Sequence, residues 1–223
     1  MTNTSKQHIT LYRNRLLILI FLFTHVLCYA QNPHRYDREV AQFDKLLIPT
    51  GETVVFTGSS SIRKWTSLTH CNGREVVNTG FGGSHMSDLL FHLEKVIFRF
   101  RPSIIYIYEG DNDIASGKKP SEVLYTAQNV VNKIKARLPY AKIYFIGAKP
   151  CPSRWKYREG YLTFNNMLER YCEHHEQLHY IDVWNKMLVN GYPNANIFIS
   201  DNLHLNDMGY RLWNKIICNS SEE

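Results

Sequence analysis

The sequence predicts an α/β protein, a three-layer α/β/α sandwich with about five parallel strands. Three observations predict it. Short runs rich in β-branched and aromatic residues recur along the chain, and they are continuously apolar rather than alternating. Amphipathic patterns at helical spacing lie between them. Each of the first three runs ends in a glycine followed by polar residues.

Taken in order, the runs are TVVFTG (53–58), EVVNTG (75–80), IIYIYEG (104–110), KIYFIGA (142–148) and HYIDVW (179–184). Continuous apolarity fits strands covered on both faces. After the second run, Met86, Leu89, Leu90, Leu93, Ile97 and Phe100 recur on one helical face. After the third, Val123, Ala127, Val130, Ile134 and Leu138 do the same, with Ser121 as the expected N-cap and Pro139 as the stop. Leu205, Gly209, Leu212 and Ile216 form a closing helix. Strands alternating with helices of this length imply βαβ crossovers, and so a doubly wound, flavodoxin-like sheet. Ligands of such sheets bind beyond the carboxyl ends of the strands. There the sequence puts GSSS, GFGGSH and GDND.

A chain of 223 residues, 44% hydrophobic and 21% charged, has an ordinary globular composition and can bury one good core. We expect a single domain over residues 31–223. The first thirty residues stand apart: Lys6, Arg13 and Arg15 precede LLILIFLFTHVL, and CYA precedes Gln31. That is the layout of a secretory signal peptide over residues 1–30, cleaved after Ala30. The apolar run Leu16–Leu27 contains Thr24 and His25 and falls short of the roughly 20 residues a spanning helix needs, so no stable membrane anchor is expected after cleavage. Bulky Leu27 before Cys28 argues against lipidation. The expected location is periplasmic or extracellular.

Removing the leader takes away three basic and no acidic residues, so the formal charge falls from +6 to +3. No basic stripe or zinc-finger spacing is left to indicate a nucleic-acid partner. Cys71, Cys151, Cys172 and Cys218 remain. In an oxidising compartment they allow up to two disulfides in three pairings, and free buried thiols are an open alternative.

Acyl transfer by a serine hydrolase needs a hydroxyl, an imidazole to take its proton, a carboxylate to orient the imidazole, and donors aimed at the oxyanion. The GSSS turn offers a hydroxyl from Ser59, Ser60 or Ser61, and any of these could equally cap a helix. In DNLHLNDMGY, Asp201 and His204 stand three residues apart, close enough to meet within one turn. Local chemistry does not choose among the three serines.

Four ordered blocks together resemble the SGNH hydrolases, the GDSL-like lipases and esterases. Gly58-Ser59-Ser60 resembles the nucleophile block and implies Ser60 as nucleophile, with Ser59 or Ser61 left to cap. NTGFGG resembles the Asn-x-x-x-x-Gly block and implies Gly83 as a backbone oxyanion donor. GDND resembles Gly-x-Asn-Asp and implies Asn112 as a side-chain donor. Asp201-Asn202-Leu203-His204 resembles Asp-x-x-His and implies His204 as base and Asp201 as its orienter. The blocks run from Gly58 to His204. One departure is plain: the usual Asp of Gly-Asp-Ser is Ser59 here.

The resemblance implies an exported serine esterase acting on short acyl esters through an acyl-enzyme, with an oxyanion hole of the Ser60 and Gly83 amides and Asn112, and with no metal or organic cofactor. Carbohydrate O-acetyl groups are the leading substrate, because export places the enzyme among polysaccharides. A lysophospholipase, thioesterase or O-acyltransferase would keep the same site, and a non-catalytic glycan-binding domain would keep the fold. KPCPSRWKYREG (149–160) resembles a Lys-Pro-Ser-Pro-x-Arg-Trp segment bordering the cleft in one branch of the family, which implies Trp155 and Tyr157 as substrate-binding residues; a solvated loop is the alternative. Two other patterns compete. HEQLH (175–179) matches the zincin spacing, but His179 already starts a strand and a third ligand is missing. Asp111–Glu122 has carboxylates at the first, third and twelfth places of a calcium loop, yet Ser116 and Ala115 fill its glycine and a ligand position.

Overall fold

The computed structural model describes residues 32–218. The chain divides into two units. Of the first, Asn32–Arg35 form a turn in which the Arg35 N–H donates to the Asn32 carbonyl at 3.3 Å. The second, Tyr36–Glu223, holds every element below. The expected signal peptide lies outside the described residues. Among those residues, no helix is long and apolar enough to cross a membrane.

The strands are β1 (Val54–Gly58), β2 (His70–Cys71), β3 (Arg74–Gly80), β4 (Ile104–Tyr108), β5 (Lys142–Ile146) and β6 (Leu178–Ile181), in the order β2-β3-β1-β4-β5-β6. β1, β3, β4, β5 and β6 are parallel, and β2 is a two-residue antiparallel edge. Setting that edge aside gives the doubly wound order 2-1-3-4-5 of flavodoxin-like sheets. A hairpin of β7 (Leu188–Val189) and β8 (Tyr192–Pro193) stands apart from the sheet. Two-residue strands carry too little pattern to be read from sequence.

The helices are α1 (Asp37–Val40), α2 (Ser60–Arg63), α3 (Met86–Val96), α4 (Asp111–Ala115), α5 (Pro120–Arg137), α6 (Arg158–Glu173) and α7 (Asp207–Ile217). Alternate strand residues face opposite layers. Val55, Ile105, Ile107 and Phe145 pack in one cluster with α3, α5 and α6, whereas Val54, Phe56, Tyr106 and Ile146 pack in the other with Trp65 and α7. Both faces are therefore dry, which explains the unbroken apolar runs. On the second face Phe56, Tyr106, Tyr144 and His179 stack from strand to strand at 4.2, 4.8 and 4.4 Å between centroids. Parallel register places these four side by side.

Three local expectations change. Ser121 is not the cap of α5: Pro120 takes the first helical turn, where its missing N–H costs nothing, and Lys119 stands at the cap. The first amphipathic pattern ends as α3 at Val96 and continues as a 3₁₀ turn, Phe98–Phe100. α6 was not among the expected helices, although Tyr161, Phe164, Leu168 and Cys172 share its buried face. Of the possible cysteine pairings, Cys71 on β2 is bonded to Cys218 after α7, while Cys151 and Cys172 are free and buried. Burial, then the nearby Glu169 and Glu173, pushes the Cys172 thiol up to about 12.

Candidate active site

β1 ends at Gly58 with φ 127°, and a Cβ there would lie 2.0 Å from the Tyr108 carbonyl oxygen. Only glycine lets the chain turn so tightly against β4. The Ser59 N–H donates to that same carbonyl at 3.0 Å, and α2 begins at Ser60. The first amides of a helix have no acceptor within it. Neither neighbour caps α2 as expected: Ser59 occupies the cap position, but its hydroxyl turns to Asp111 Oδ1 at 3.5 Å, and Ser61 is buried inside the helix.

β3 delivers the second block beside it. The Asn78 side chain is engaged within the fold: its amide donates to the Ile62 carbonyl at 2.8 Å and its Oδ1 accepts the Gly80 N–H at 3.0 Å, pinning α2 to β3. The Gly82 N–H is taken by Glu39 Oε1 at 3.0 Å. The Gly83 N–H has no acceptor among the described residues, and Gly83 adopts φ 78° with the Tyr36 hydroxyl 3.2 Å from where a Cβ would sit.

β4 brings the third block. Asn112 Nδ2 donates to the Ser84 carbonyl at 2.9 Å, which fixes the amide's orientation and leaves its second N–H for another acceptor. Asp113 accepts the Met86 N–H at 3.0 Å and Lys118 Nζ at 2.7 Å, so the calcium-like pattern has its carboxylate committed inside the protein. Behind these, Ser84 Oγ donates to the buried Glu109 carboxyl. Burial first holds that carboxyl well above the usual range; the Ser84 hydrogen bond opposes this, and Asp113, Asp111 and Asp88 reinforce it. Nothing in the isolated sequence marks Glu109 or Ser84, because their roles arise only where the segments after β3 and β4 meet across the end of β1.

The C-terminal loop closes the arrangement. His204 Nε2 lies 2.9 Å from Ser60 Oγ, and Nδ1 lies 2.6 Å from Asp201 Oδ2. Asp201 Oδ1 also accepts the N–H groups of Leu203 and His204, each at 2.9 Å. Partial burial raises the Asp201 pKa, but the His204 ring and these amides outweigh it and hold the group at about 2. Asn206 caps α7 by accepting the Gly209 N–H at 3.1 Å, so the turn is both a helix start and a carboxylate–imidazole pair.

The segment after β5 touches this loop through Ser153, whose N–H and hydroxyl donate to the Asn202 carbonyl at 3.2 and 3.0 Å. Arg154 Nη1 reaches Asp111 Oδ2 at 3.5 Å. Trp155 packs against Trp184 and Tyr192, and Tyr157 lies under Lys156. The structure thus joins Ser60, His204 and Asp201, and places Gly83 and Asn112 after β3 and β4, the two strands that flank β1. Among the described residues, no hydrogen bond or ring contact joins Trp155 or Tyr157 to Ser60 or His204. His175 follows the end of α6 and His179 sits in β6, so the HEQLH histidines do not share a helix. Among the described residues, no group of three His, Cys, Asp or Glu could hold a metal.

A hydroxyl, an imidazole and a carboxylate in one hydrogen-bonded line, at the carboxyl edge of a doubly wound sheet, are the equipment of an ester hydrolase. Residues 51–212 match the model of the GDSL-like Lipase/Acylhydrolase family, and the chain belongs to that family. Among curated proteins, none matches. Solved structures are similar across nearly their whole length. One is a Streptococcus pneumoniae protein provisionally described as a platelet activating factor (TM-score 0.74, 19% identity, 91% of this chain and 98% of that one). Another is a GDSL-like lipase from Bacteroides thetaiotaomicron (0.68, 18%, 83% and 96%). A third is a catalytic mutant of an acetylxylan esterase from Geobacillus stearothermophilus (0.60, 17%, 77% and 94%). At these identities the likeness is one of fold. The protein is an ester-hydrolysing acylhydrolase.

Proposed function

We propose that the protein is an exported serine esterase that removes short acyl groups, foremost O-acetyl groups of carbohydrates, by way of an acyl-enzyme on Ser60. The observation that carries this reading is the line Asp201–His204–Ser60, with contacts of 2.6 and 2.9 Å. His204 Nε2 takes the Ser60 proton as Oγ attacks the ester carbonyl, and Asp201 keeps the other ring nitrogen protonated. The tetrahedral oxyanion is met by the N–H groups of Ser60 and Gly83 and the second N–H of Asn112. His204 returns its proton to the leaving alcohol, then activates water to release the acid.

Export is supported by the leader-like layout of residues 1–30 and by the Cys71–Cys218 bond, a cross-link typical of oxidising compartments. The carbohydrate ester is supported by export and by the acetylxylan esterase among the similar folds. Trp155, backed by Trp184 and Tyr192, offers a flat ring for a sugar, with Tyr157 nearby in sequence.

The test is a fluorophosphonate probe and p-nitrophenyl acetate on the mature protein beside Ser60→Ala, followed by a panel of acetylated sugars and longer acyl esters. Labelling and turnover that vanish together in Ser60→Ala, with preference for acetylated sugars, are expected. A folded wild type inert to probe and ester would refute the esterase. A mature N-terminus other than Gln31 in the secreted protein would refute the cleavage site.

A further inference from the structure

The position before the nucleophile, where the resembled motif has an aspartate, holds Ser59 in this chain. Its hydroxyl is fully buried and faces Asp111 Oδ1 at 3.5 Å. Asp111 is itself only 4% exposed and reaches in from the end of the neighbouring strand, β4. Its Oδ2 accepts the Tyr108 hydroxyl at 3.0 Å and faces Arg154 Nη1 at 3.5 Å, while its backbone carbonyl accepts the Tyr161 hydroxyl at 3.0 Å. Arg154 Nη1 is buried and has no hydrogen-bond partner among the described residues, so the Asp111 carboxylate is its ion-pair partner.

One carboxylate therefore touches three pieces of the site. Through Ser59 it meets the turn that aims Ser60. As the first residue of α4 it immediately precedes Asn112, and its bond from the Tyr108 hydroxyl ties that start to β4. Through Arg154 it holds the segment whose Ser153 grips the Asn202 carbonyl, between Asp201 and His204.

We propose that Asp111 is a positioning residue that supplies, from β4, the carboxylate that Ser59 lacks, and thereby fixes the nucleophile turn, the Asn112 donor and the histidine loop relative to one another. Asp111 touches no reacting atom; it acts through Ser59, Asn112 and Arg154. Burial, with the Asp111 charge next, raises the Tyr108 and Tyr161 pKa values, so both phenols stay protonated and able to donate. A second carboxylate at residue 59 would meet Asp111 at close range in a dry pocket, where like charges cannot both be held. The carboxylate can stand at 59 or at 111, and here it stands at 111.

This inference rests on the esterase reading above, and its test is a swap. Asp111→Asn, Asp111→Ser, Ser59→Asp and the double variant Ser59→Asp/Asp111→Ser are compared with wild type for kcat and KM on p-nitrophenyl acetate, for the rate of fluorophosphonate labelling and for thermal unfolding. Asp111→Asn keeps the shape and loses the charge, so kcat should fall by about tenfold or more with KM within about twofold, the signature of misplaced groups rather than lost binding. Ser59→Asp alone should be equally impaired. The double variant should regain about tenfold or more over Asp111→Ser, a coupling expected only of groups that share one role.

Asp111→Asn with wild-type kcat, or a folded double variant no faster than Asp111→Ser, overturns the proposal. If Asp111→Asn fails to fold, the double variant decides alone, and its failure to fold also counts against it, because the swap keeps a carboxylate in the pocket. A wild type inert to probe and ester sinks both readings, whereas an active wild type matched by Asp111→Asn sinks only this one.

Discussion

Replacing Asp201 by Asn tests the catalytic line most directly. The carboxylate accepts three hydrogen bonds: Oδ1 takes two backbone amides at 2.9 Å, and Oδ2 takes His204 Nδ1 at 2.6 Å. An asparagine Oδ1 can keep both amides, so the loop should hold its shape. Its Nδ2 then faces Nδ1 with a proton of its own, and the ring must carry its hydrogen on Nε2 instead. That nitrogen, 2.9 Å from Ser60 Oγ, turns from acceptor to donor and can no longer take the serine proton. In the trypsin-like triad the equivalent exchange costs about 10⁴ in kcat. Here the Asp201 side chain is 43% exposed, so water can reach the Nδ1 side and soften the loss. We expect a fall on the order of 10³, or about 4 kcal/mol of transition-state stabilisation, at nearly constant KM. The assay is steady-state hydrolysis of p-nitrophenyl acetate, with Ser60→Ala as the floor. An Asp201→Asn enzyme within tenfold of wild type would refute the assignment. Stability gives an independent check. A carboxyl held at about 2 stabilises the fold fully above its usual range of roughly 4 and loses that contribution as pH falls through 2. The melting-temperature gap between wild type and Asp201→Asn should therefore narrow between about pH 5 and pH 2.

Three further outcomes follow from the same geometry. Gly83→Ala, forced into φ 78° with the Tyr36 hydroxyl 3.2 Å from the new methyl, should cost about 1–2 kcal/mol of stability and on the order of 10²-fold in kcat, measured by melting and ester turnover; unchanged kcat would remove Gly83 from the oxyanion site. Joint Cys71→Ser/Cys218→Ser substitution opens a cross-link spanning 147 residues and should lower unfolding free energy by about 2–5 kcal/mol in denaturant titrations, with reduced wild type behaving alike. Glu109 has a raised folded pKa, so its contribution is complete at acid pH and is lost as pH rises. Glu109→Gln, which cannot ionise, should gain in melting temperature relative to wild type from about pH 4 to pH 8, and a flat difference would refute the buried neutral acid.

The sequence alone determined what depends on short range. Continuous β-branched and aromatic runs mark strands dry on both faces, and helical spacing marks the layers, so the doubly wound sheet was legible. Asp201 and His204 were legible as a pair because three residues of chain suffice to bring them together. Where local signals competed, the reading slipped: Ser121 looked like a cap until Pro120 claimed the first turn, and α6 was missed although its buried face is periodic. Tertiary structure decided the rest. Ser60 and His204 are separated by 144 residues and meet only because the final helix packs on the face beside β1. The Cys71–Cys218 bond, the ring stack from Phe56 to His179, and the burial that lifts Glu109 depend on strand order and register. The physical reason is one of range. Periodicity and turn chemistry act over a few residues, whereas convergence of side chains, desolvation and charge pairing act across neighbouring strand ends that are remote in sequence.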